Sequence, residues 1–311
     1  MSTALVTGAT GFVGSHVVRA LLREGMAVHI LTRPTSNHHR IEDLRSRVTS
    51  HEADLRDPIA LGGVIRELRP DYVFHLAAAT IVAGTTGSAD ELFEVNVAGT
   101  ARLIDACEEI DYKALITTGD SFEYSPGTEP LAEDGPCHPE GAHGLSKLAA
   151  TLYASGMAVA RGRPIVALRL FSTYGPGDHP RRLVPRVIQG ALAGTPIELS
   201  RREIGRDWVY VDDVAALYLE AARRAGDLRG GVFNAGSGIG YSIGEVTDRV
   251  LGMMRSPVEP RWGVFPAPPH DATPWVADTR RTFAAFSWRP RVSLDEGLAR
   301  TIAAARAGRV S

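Results

Sequence analysis

Thr7-Gly8-Ala9-Thr10-Gly11-Phe12-Val13-Gly14 is the stretch that decides the fold of this 311-residue chain. The apolar run Ala4-Leu5-Val6 precedes it and is typical of a buried strand, whereas apolar side chains recur at helical spacing after it. Glycines at a strand-to-helix turn are typical of a dinucleotide site. Gly8 permits the tight turn, Gly11 lets a pyrophosphate approach the backbone, and Gly14 lets the helix lie close to the strand.

Outward from this turn, strand and helix patterns alternate along the first half of the chain. The helix start, at Phe12 and Val13, offers free N–H groups to the phosphates. The repeated strand–helix units predict an α/β fold with a doubly wound parallel sheet, the Rossmann arrangement. We predict a dinucleotide-binding domain over residues 1–170, to which 207–235 return. A smaller C-terminal α/β domain that binds the substrate is predicted over 171–206 and 236–311.

Bulk composition limits the possible functions. The net charge is −2, with 44% hydrophobic and 23% charged residues. This composition is ordinary for a globular protein, and it gives no excess of positive charge with which to bind nucleic acid. No apolar run is long enough to span a membrane, and the N-terminus lacks a secretory pattern. The two cysteines, and likewise His38 and His39, lack the spacing of metal ligands. We therefore expect a cytoplasmic protein that binds no metal, nucleic acid or membrane.

The end of the second predicted strand bears on the type of dinucleotide. A carboxylate there would bind the adenosine 2′-hydroxyl of NAD, but the residues after the strand, Thr32-Arg33-Pro34-Thr35-Ser36, include no acid. Arg33 could pair with the 2′-phosphate of NADP, or it could be a surface charge. We therefore favour NADP, with NAD as the alternative. Asp54 and Leu55 follow the third strand, where they could contact the adenine or form a solvated loop.

Several blocks of sequence, in order, carry a resemblance to one family. They are TGATGFVG from Thr7, DLRD from Asp54, FHLAA from Phe74, NVAGT from Asn96, HGLSK from His143, RLFSTYGPGD from Arg169, RDWVYVDDV from Arg206 and NAGSG from Asn234. Over nearly its whole length the chain resembles extended short-chain dehydrogenases/reductases of the nucleotide-sugar epimerase/dehydratase type. The resemblance implies hydride transfer between a nicotinamide cofactor and a nucleotide-diphosphate sugar. It also implies a homodimer.

The resemblance assigns roles to residues of the matching blocks. Leu76-Ala77-Ala78 would line the cofactor site, and Asn96 would support the region of the catalytic lysine by hydrogen bonding. Lys147 matches that lysine, which binds the nicotinamide ribose and lowers the pKa of a tyrosine one helical turn earlier. The position of this tyrosine is occupied by His143.

The residue at the tyrosine position leaves three interpretations open. His143 could itself be the acid and base, since imidazole is the commonest group in that role. Another residue could move the proton while His143 only binds. Alternatively, the site could no longer catalyse a reaction.

A second catalytic position of the family follows the fifth predicted strand. In relatives a serine or threonine at this position forms a hydrogen bond to the reacting oxygen. If the position is counted forward from the strand, it is Thr118; if it is counted back from Tyr124, it is Asp120 or Ser121. Relatives that eliminate water carry acidic residues at this place. Asp120 and Glu123 could form such an acid and base pair, or they could belong to a polar turn.

Candidate ligands of the substrate lie in the second half of the chain. Arg206 matches the arginine with which relatives bind the nucleotide diphosphate, a role that suits a planar group with several donors; a surface ion pair is the alternative. Arg181 and Arg280 are further candidates, and Ser172 stands where the family has an asparagine. We interpret the chain as an NAD(P)-dependent ketoreductase or epimerase of nucleotide sugars. A 4,6-dehydratase and a cofactor-binding protein without turnover are the alternatives.

Overall fold

The structure is a computed structural model that describes residues 1–80, 88–265 and 275–308. Its strands are β1 (Thr3–Thr7), β2 (Ala27–Thr32), β3 (Val48–Glu52), β4 (Tyr72–His75), β5 (Ala114–Asp120), β6 (Ile165–Leu170), β7 (Ser172–Tyr174), β8 (Ile197–Glu198), β9 (Gly205–Tyr210), β10 (Val232–Ala235), β11 (Gly240–Ser242) and β12 (Pro260–Arg261).

The helices alternate with these strands along the first half of the chain. They are α1 (Phe12–Arg23), α2 (Pro58–Leu68), α3 (Ala89–Leu92), α4 (Gly99–Cys107), α5 (Ala142–Arg161), α6 (Leu183–Ala193), α7 (Val211–Arg224), α8 (Ile243–Met254), α9 (Arg280–Ala285) and α10 (Leu294–Arg306). The segments His39–Arg47 and Ser121–Glu123 are 3₁₀-helical, and Phe93–Ala98 is a π-helical stretch that joins α3 to α4. None of the helices among the described residues combines the length and the apolar character needed to cross a bilayer.

A seven-stranded sheet forms the centre of the fold in the described part of the chain. Its strand order is β10-β6-β5-β4-β1-β2-β3, and the neighbouring pairs from β6 to β3 are all parallel. The order reverses beside β1, where Thr7 lies between Leu31 of β2 and His75 of β4. The predicted doubly wound Rossmann sheet is therefore confirmed. In such sheets ligands bind beyond the carboxyl ends of the strands at the point of reversal.

The strands are buried because helices cover the sheet. Leu5, Val73 and Leu115 on three adjacent strands are fully buried and belong to one core cluster with Leu61 of α2 and Ile104 of α4. Near-continuous apolar runs are the pattern expected of parallel strands covered on both faces. Burial of each such side chain stabilises the fold by about 1.5–3 kcal/mol.

Two compact units make up the chain. The first comprises residues 1–125, 136–170 and 215–233, and the second comprises 126–135, 171–214 and 234–311. These bounds differ from the predicted ones at 126–135, 207–214 and 234–235. Residues 205–210 form β9, which pairs with β7 and β11 in a separate three-stranded sheet. Leu131 forms a bridge with Ala277 of the second unit, so the first two differences arise from pairings between distant segments.

Candidate active site

The glycine-rich turn has the backbone geometry that a dinucleotide requires. Gly8 has a φ of +71°, and a Cβ added there would lie 2.5 Å from the Ala77 nitrogen. An added Cβ at Gly14 would collide with the carbonyl of Gly8. Helix α1 begins at Phe12 after the N-cap Gly11, and no side chain caps it. Its first N–H groups are therefore available to an anion, which fits a pyrophosphate.

A cavity of about 280 Å³ opens beside this turn at the carboxyl ends of β1, β2 and β4. Eight of the predicted cofactor residues line it: Gly8, Gly11, Arg33, Asp54, Leu55, Leu76, Ala77 and Ala78. Phe12, Val13 and Gly14 belong instead to the first turn of α1. The lining also includes Ser36 and Glu91, which the sequence did not single out because neither belongs to a motif. These residues fit the adenosine and pyrophosphate part of a dinucleotide.

The adenosine end of the cavity has an arginine and no free carboxylate at the end of β2. Arg33 and Ser36 form a turn, in which the Arg33 N–H donates to the Ser36 hydroxyl at 2.9 Å and the Ser36 N–H donates to the Arg33 carbonyl at 2.9 Å. Asp54 is held by Arg56, whose Nη2 and Nε lie 2.6 and 3.0 Å from its two oxygens. The hydrogen bond from Arg56 lowers the pKa of Asp54. Asp54 is therefore an ion-paired carboxylate that remains partly exposed.

Asn96 joins the cofactor side of the sheet to helix α5. Its amide oxygen accepts from the Ala79 N–H at 2.8 Å, and its amide nitrogen donates to the Ala79 carbonyl at 3.0 Å and to Ser146 Oγ at 2.9 Å. The residue is 2% exposed and sits in the π-helical stretch. Such stretches occur frequently at functional sites because they reorient a side chain. Asn96 thus supports α5 directly beside Lys147.

A buried imidazole, that of His75, lies at the carboxyl end of β4. His75 Nδ1 is 2.7 Å from the Thr7 hydroxyl, and its Nε2 is 2.9 Å from the Thr100 hydroxyl. Burial, with a smaller contribution from the Lys147 ammonium, lowers the pKa of His75 to about 3. The ring is therefore neutral at ordinary pH and links the glycine-rich turn to α4.

Lys147 is buried near the carboxyl end of β5. Its ammonium donates a hydrogen bond to the carbonyl of Thr118. Burial lowers the pKa of Lys147, and the negative charges of Asp120 and Glu123 partly offset this effect. The charged amine thus has a fixed position, one helical turn from His143 on the same face of α5.

His143 lies beside Asp120, which is the last residue of β5. The Nε2 of the ring is 3.6 Å from Oδ2 of Asp120, and the two side chains are 19% and 26% exposed. Desolvation alone would raise the pKa of Asp120, but His143, the Phe122 N–H and Lys147 together lower it. A carboxylate and an imidazole therefore meet at the end of β5, where the sequence left the choice among Thr118, Asp120 and Ser121 open.

The hydroxyl of Thr118 is engaged elsewhere. It donates to the carbonyl of His75 at 2.7 Å and lies 2.7 Å from the Tyr218 hydroxyl. The hydroxyl is thus hydrogen-bonded to β4 and α7, while the backbone carbonyl of Thr118 accepts from Lys147. The role of Thr118 in binding the reacting oxygen stays a prediction.

Glu123 is fully buried and has three donors around it. Arg169 Nε lies 2.7 Å from Oε2, while the Asp120 N–H and the Thr151 hydroxyl donate to Oε1 at 2.8 and 2.9 Å. Arg169 also stacks over the Tyr124 ring at 4.5 Å. This geometry argues against the predicted acid and base pair of Asp120 and Glu123, because a buried carboxylate whose oxygens are occupied has no access to a substrate.

The predicted ligands of the substrate all belong to the second unit. Ser172 begins β7, Arg206 lies on β9, and Arg280 begins α9. Arg181 precedes α6, and its N–H donates to His179 Nδ1 at 3.2 Å. Arg280 forms a close ion pair with Asp278.

The sequence pattern of the NAD dependent epimerase/dehydratase family matches residues 4–236. The chain belongs to this family. Membership confirms the resemblance drawn from the sequence motifs and identifies the chain as an enzyme of the extended short-chain dehydrogenase/reductase class.

Individual members of the family are similar to the chain along almost its full length. The UDP-glucose 4-epimerase of Mycolicibacterium smegmatis is 31% identical over an alignment of 309 residues, and the match covers 96% of each chain. The structure of Thermotoga maritima UDP-glucose 4-epimerase with UDP-glucose matches with a TM-score of 0.90 at 27% identity, covering 98% of this chain and 99% of that one. The Thermus thermophilus UDP-glucose 4-epimerase complex with NAD matches with a TM-score of 0.85 at 30% identity and the same coverage.

Proposed function

We propose that this family member is an NAD(P)-dependent oxidoreductase that transfers hydride at a carbon of a nucleotide-diphosphate sugar, as a 4-ketoreductase or an epimerase. The observation that carries the proposal is the arrangement at the end of β5. There the imidazole of His143 lies 3.6 Å from Asp120, and the buried ammonium of Lys147 follows one turn later on α5. Relatives named UDP-glucose 4-epimerase support a nucleotide sugar as the substrate.

His143 is the proton-transfer group in this proposal, at the position where the family resemblance expects tyrosine. The bound nicotinamide supplies or accepts the hydride. Lys147 binds the nicotinamide ribose, and its fixed positive charge stabilises negative charge on the reacting oxygen. The Nε2 of His143 exchanges the proton of that oxygen, because Nδ1 is buried. In the second unit, Arg206, with Arg181, Arg280 and Ser172, would bind the diphosphate of the substrate.

NADP is the cofactor that we propose. The 2′-phosphate would lie at the turn of Arg33 and Ser36, which supplies a guanidinium and a hydroxyl. The described lining of the cavity has no carboxylate at the end of β2, where NAD enzymes place one. Asp54, the acid after β3, is occupied by Arg56.

A homodimer is part of the proposal. Leu145, Leu152 and Val159 are 45%, 61% and 71% exposed and recur every seventh residue on α5, so they form one apolar stripe. Phe93, on the π-helical stretch that contacts α5, is 42% exposed as well. Contiguous apolar surface of this kind is typical of an interface between protein chains.

The test is a panel of nucleotide sugars incubated with the protein and each cofactor. Mass spectrometry of the products distinguishes reduction, isomerisation and loss of water. We expect hydride transfer with at least one nucleotide sugar, and we expect His143→Phe to reduce kcat by about 10²–10⁴-fold with little change in cofactor affinity. Full activity of this variant would contradict the role of His143. A product of water loss would contradict the proposed reaction, and inactivity with the whole panel would contradict turnover of nucleotide sugars.

A further inference from the structure

The Asp120 carboxylate is held rigidly, with one oxygen turned to the backbone and the other to His143. Its Oδ1 accepts from the Phe122 N–H at 2.9 Å and so caps the 3₁₀ turn that begins at Ser121. Its Oδ2 lies 3.6 Å from His143 Nε2. Gly144, the next residue of α5, packs so closely on the Phe122 carbonyl that a Cβ would collide with it. The capped turn and the start of α5 therefore fix the carboxylate and the imidazole together.

The surroundings of the two ring nitrogens differ. Nδ1 of His143 is buried, and no described residue offers it a hydrogen-bond partner. A proton on Nδ1 alone would leave a buried N–H group without an acceptor and would point the lone pair of Nε2 at a carboxylate. Both consequences raise the free energy of this form of the ring. A proton on Nε2 faces the carboxylate instead. The imidazolium, which carries both protons, keeps the unpartnered Nδ1–H group, but the carboxylate 3.6 Å from Nε2 balances its positive charge. It is also the form that can give the Nε2 proton to a substrate.

We propose that Asp120 keeps His143 as an imidazolium with a proton on Nε2, so that this pair acts as a proton donor and the site reduces a nucleotide-linked ketosugar. The inference rests on the proposed function and chooses between its two reactions. Epimerisation begins with oxidation of an alcohol, which requires an Nε2 without a proton. Reduction of a ketone requires an Nε2 that carries one.

The step balances with the groups named. The hydride of the reduced nicotinamide forms the new C–H bond, and the π electrons of the carbonyl move to its oxygen. That oxygen forms an O–H bond with the Nε2 proton as the N–H bond of the imidazolium breaks. The sugar carbon is reduced and the nicotinamide is oxidised. The ring is then neutral and keeps its proton on Nδ1, which is the unfavourable form. It returns to the imidazolium when Nε2 takes up a proton from the solvent.

The first test measures the proton directly in the full-length protein without ligand. Nitrogen-15 NMR of the histidine side chains shows which ring nitrogen is protonated, and the signal lost in His143→Gln identifies the ring. We expect both ring nitrogens of His143 to be protonated in the wild type. Asp120→Ser should lose the proton from one of them, although a serine can still cap the turn. A wild-type ring with an unprotonated nitrogen, or an unchanged protonation state in Asp120→Ser, would overturn the proposal.

The second test measures the direction of the reaction. The probes are the ketosugars made by 4,6-dehydration of dTDP-glucose and of UDP-glucose, each with NADPH or NADH, and the two parent sugars, each with NADP or NAD. We expect the ketosugars to be reduced, and we expect Asp120→Ser to lower kcat by about 10–100-fold with KM and cofactor affinity within about twofold. Faster conversion of the parent sugars, or an unchanged kcat in Asp120→Ser, refutes this inference but leaves the proposed function standing. Inactivity with all four sugars refutes both.

Discussion

Replacing Glu123 by Gln tests whether this residue is structural, as its burial indicates, or an acid that takes part in water elimination. The carboxylate is 0% exposed and the paired Arg169 side chain is 4% exposed. An amide has nearly the same shape as a carboxylate. The substitution therefore removes the charge and one acceptor without leaving a cavity.

The expected loss of folding stability follows from the partners of the Glu123 carboxylate. The amide oxygen can still accept from the Asp120 N–H and the Thr151 hydroxyl, but the amide nitrogen then faces Arg169 Nε, which lies 2.7 Å from Oε2 in the wild type. Two donors oppose each other, and a buried guanidinium loses its counter-charge. Removal of one partner of a buried ion pair costs about 3–5 kcal/mol. At about 2–4 °C per kcal/mol, Tm should fall by about 6–20 °C.

Calorimetry and urea unfolding of the full-length variant measure this loss. Glu109→Gln is the matched control, because Glu109 also pairs with an arginine, Arg66, at 3.2 Å, but both side chains are more than half exposed. We expect the control to change stability by no more than about 1 kcal/mol. A Glu123→Gln variant with the stability of the wild type and a selective loss of water elimination would refute the structural assignment and restore the dehydratase interpretation.

Three further predictions concern the cofactor, pH and the substrate. Arg33→Ala should weaken NADP binding by about 10-fold or more and leave NAD nearly unchanged in calorimetric titrations; equal weakening would contradict the NADP assignment. The pKa of His75 is lowered from 6.5 to about 3 in the folded chain. Only the unfolded chain binds its proton between these values, so stability should fall with pH below 6.5, by about 2 kcal/mol at pH 5. Urea unfolding should show a weaker decline in His75→Asn. Arg206→Ala should raise the Kd of a nucleotide sugar without changing cofactor binding; an unchanged Kd would remove Arg206 from the substrate site.

Local sequence patterns were sufficient for most of the first unit. The strand predicted before the glycine-rich turn and the helix predicted after it are found as β1 and α1, because apolar runs and helical periodicity are local properties. The π-helical stretch Phe93–Ala98 was not predicted, since it depends on contacts of Asn96 with Ala79 and Ser146. The predicted domain boundary after residue 206 falls inside strand β9, because the partners of this strand lie far away along the chain.

The sequence by itself determined the Rossmann sheet, the glycine-rich turn and the membership of the family, because each depends on residues close together along the chain. It also identified His143 and Lys147 as a pair, since one helix carries both. Only the tertiary structure decided that Asp120, rather than Thr118, meets His143, and that Glu123 pairs with Arg169. These choices depend on where a turn and a helix or a second strand pack against each other. No local pattern records which oxygen atoms that packing leaves accessible and which it buries.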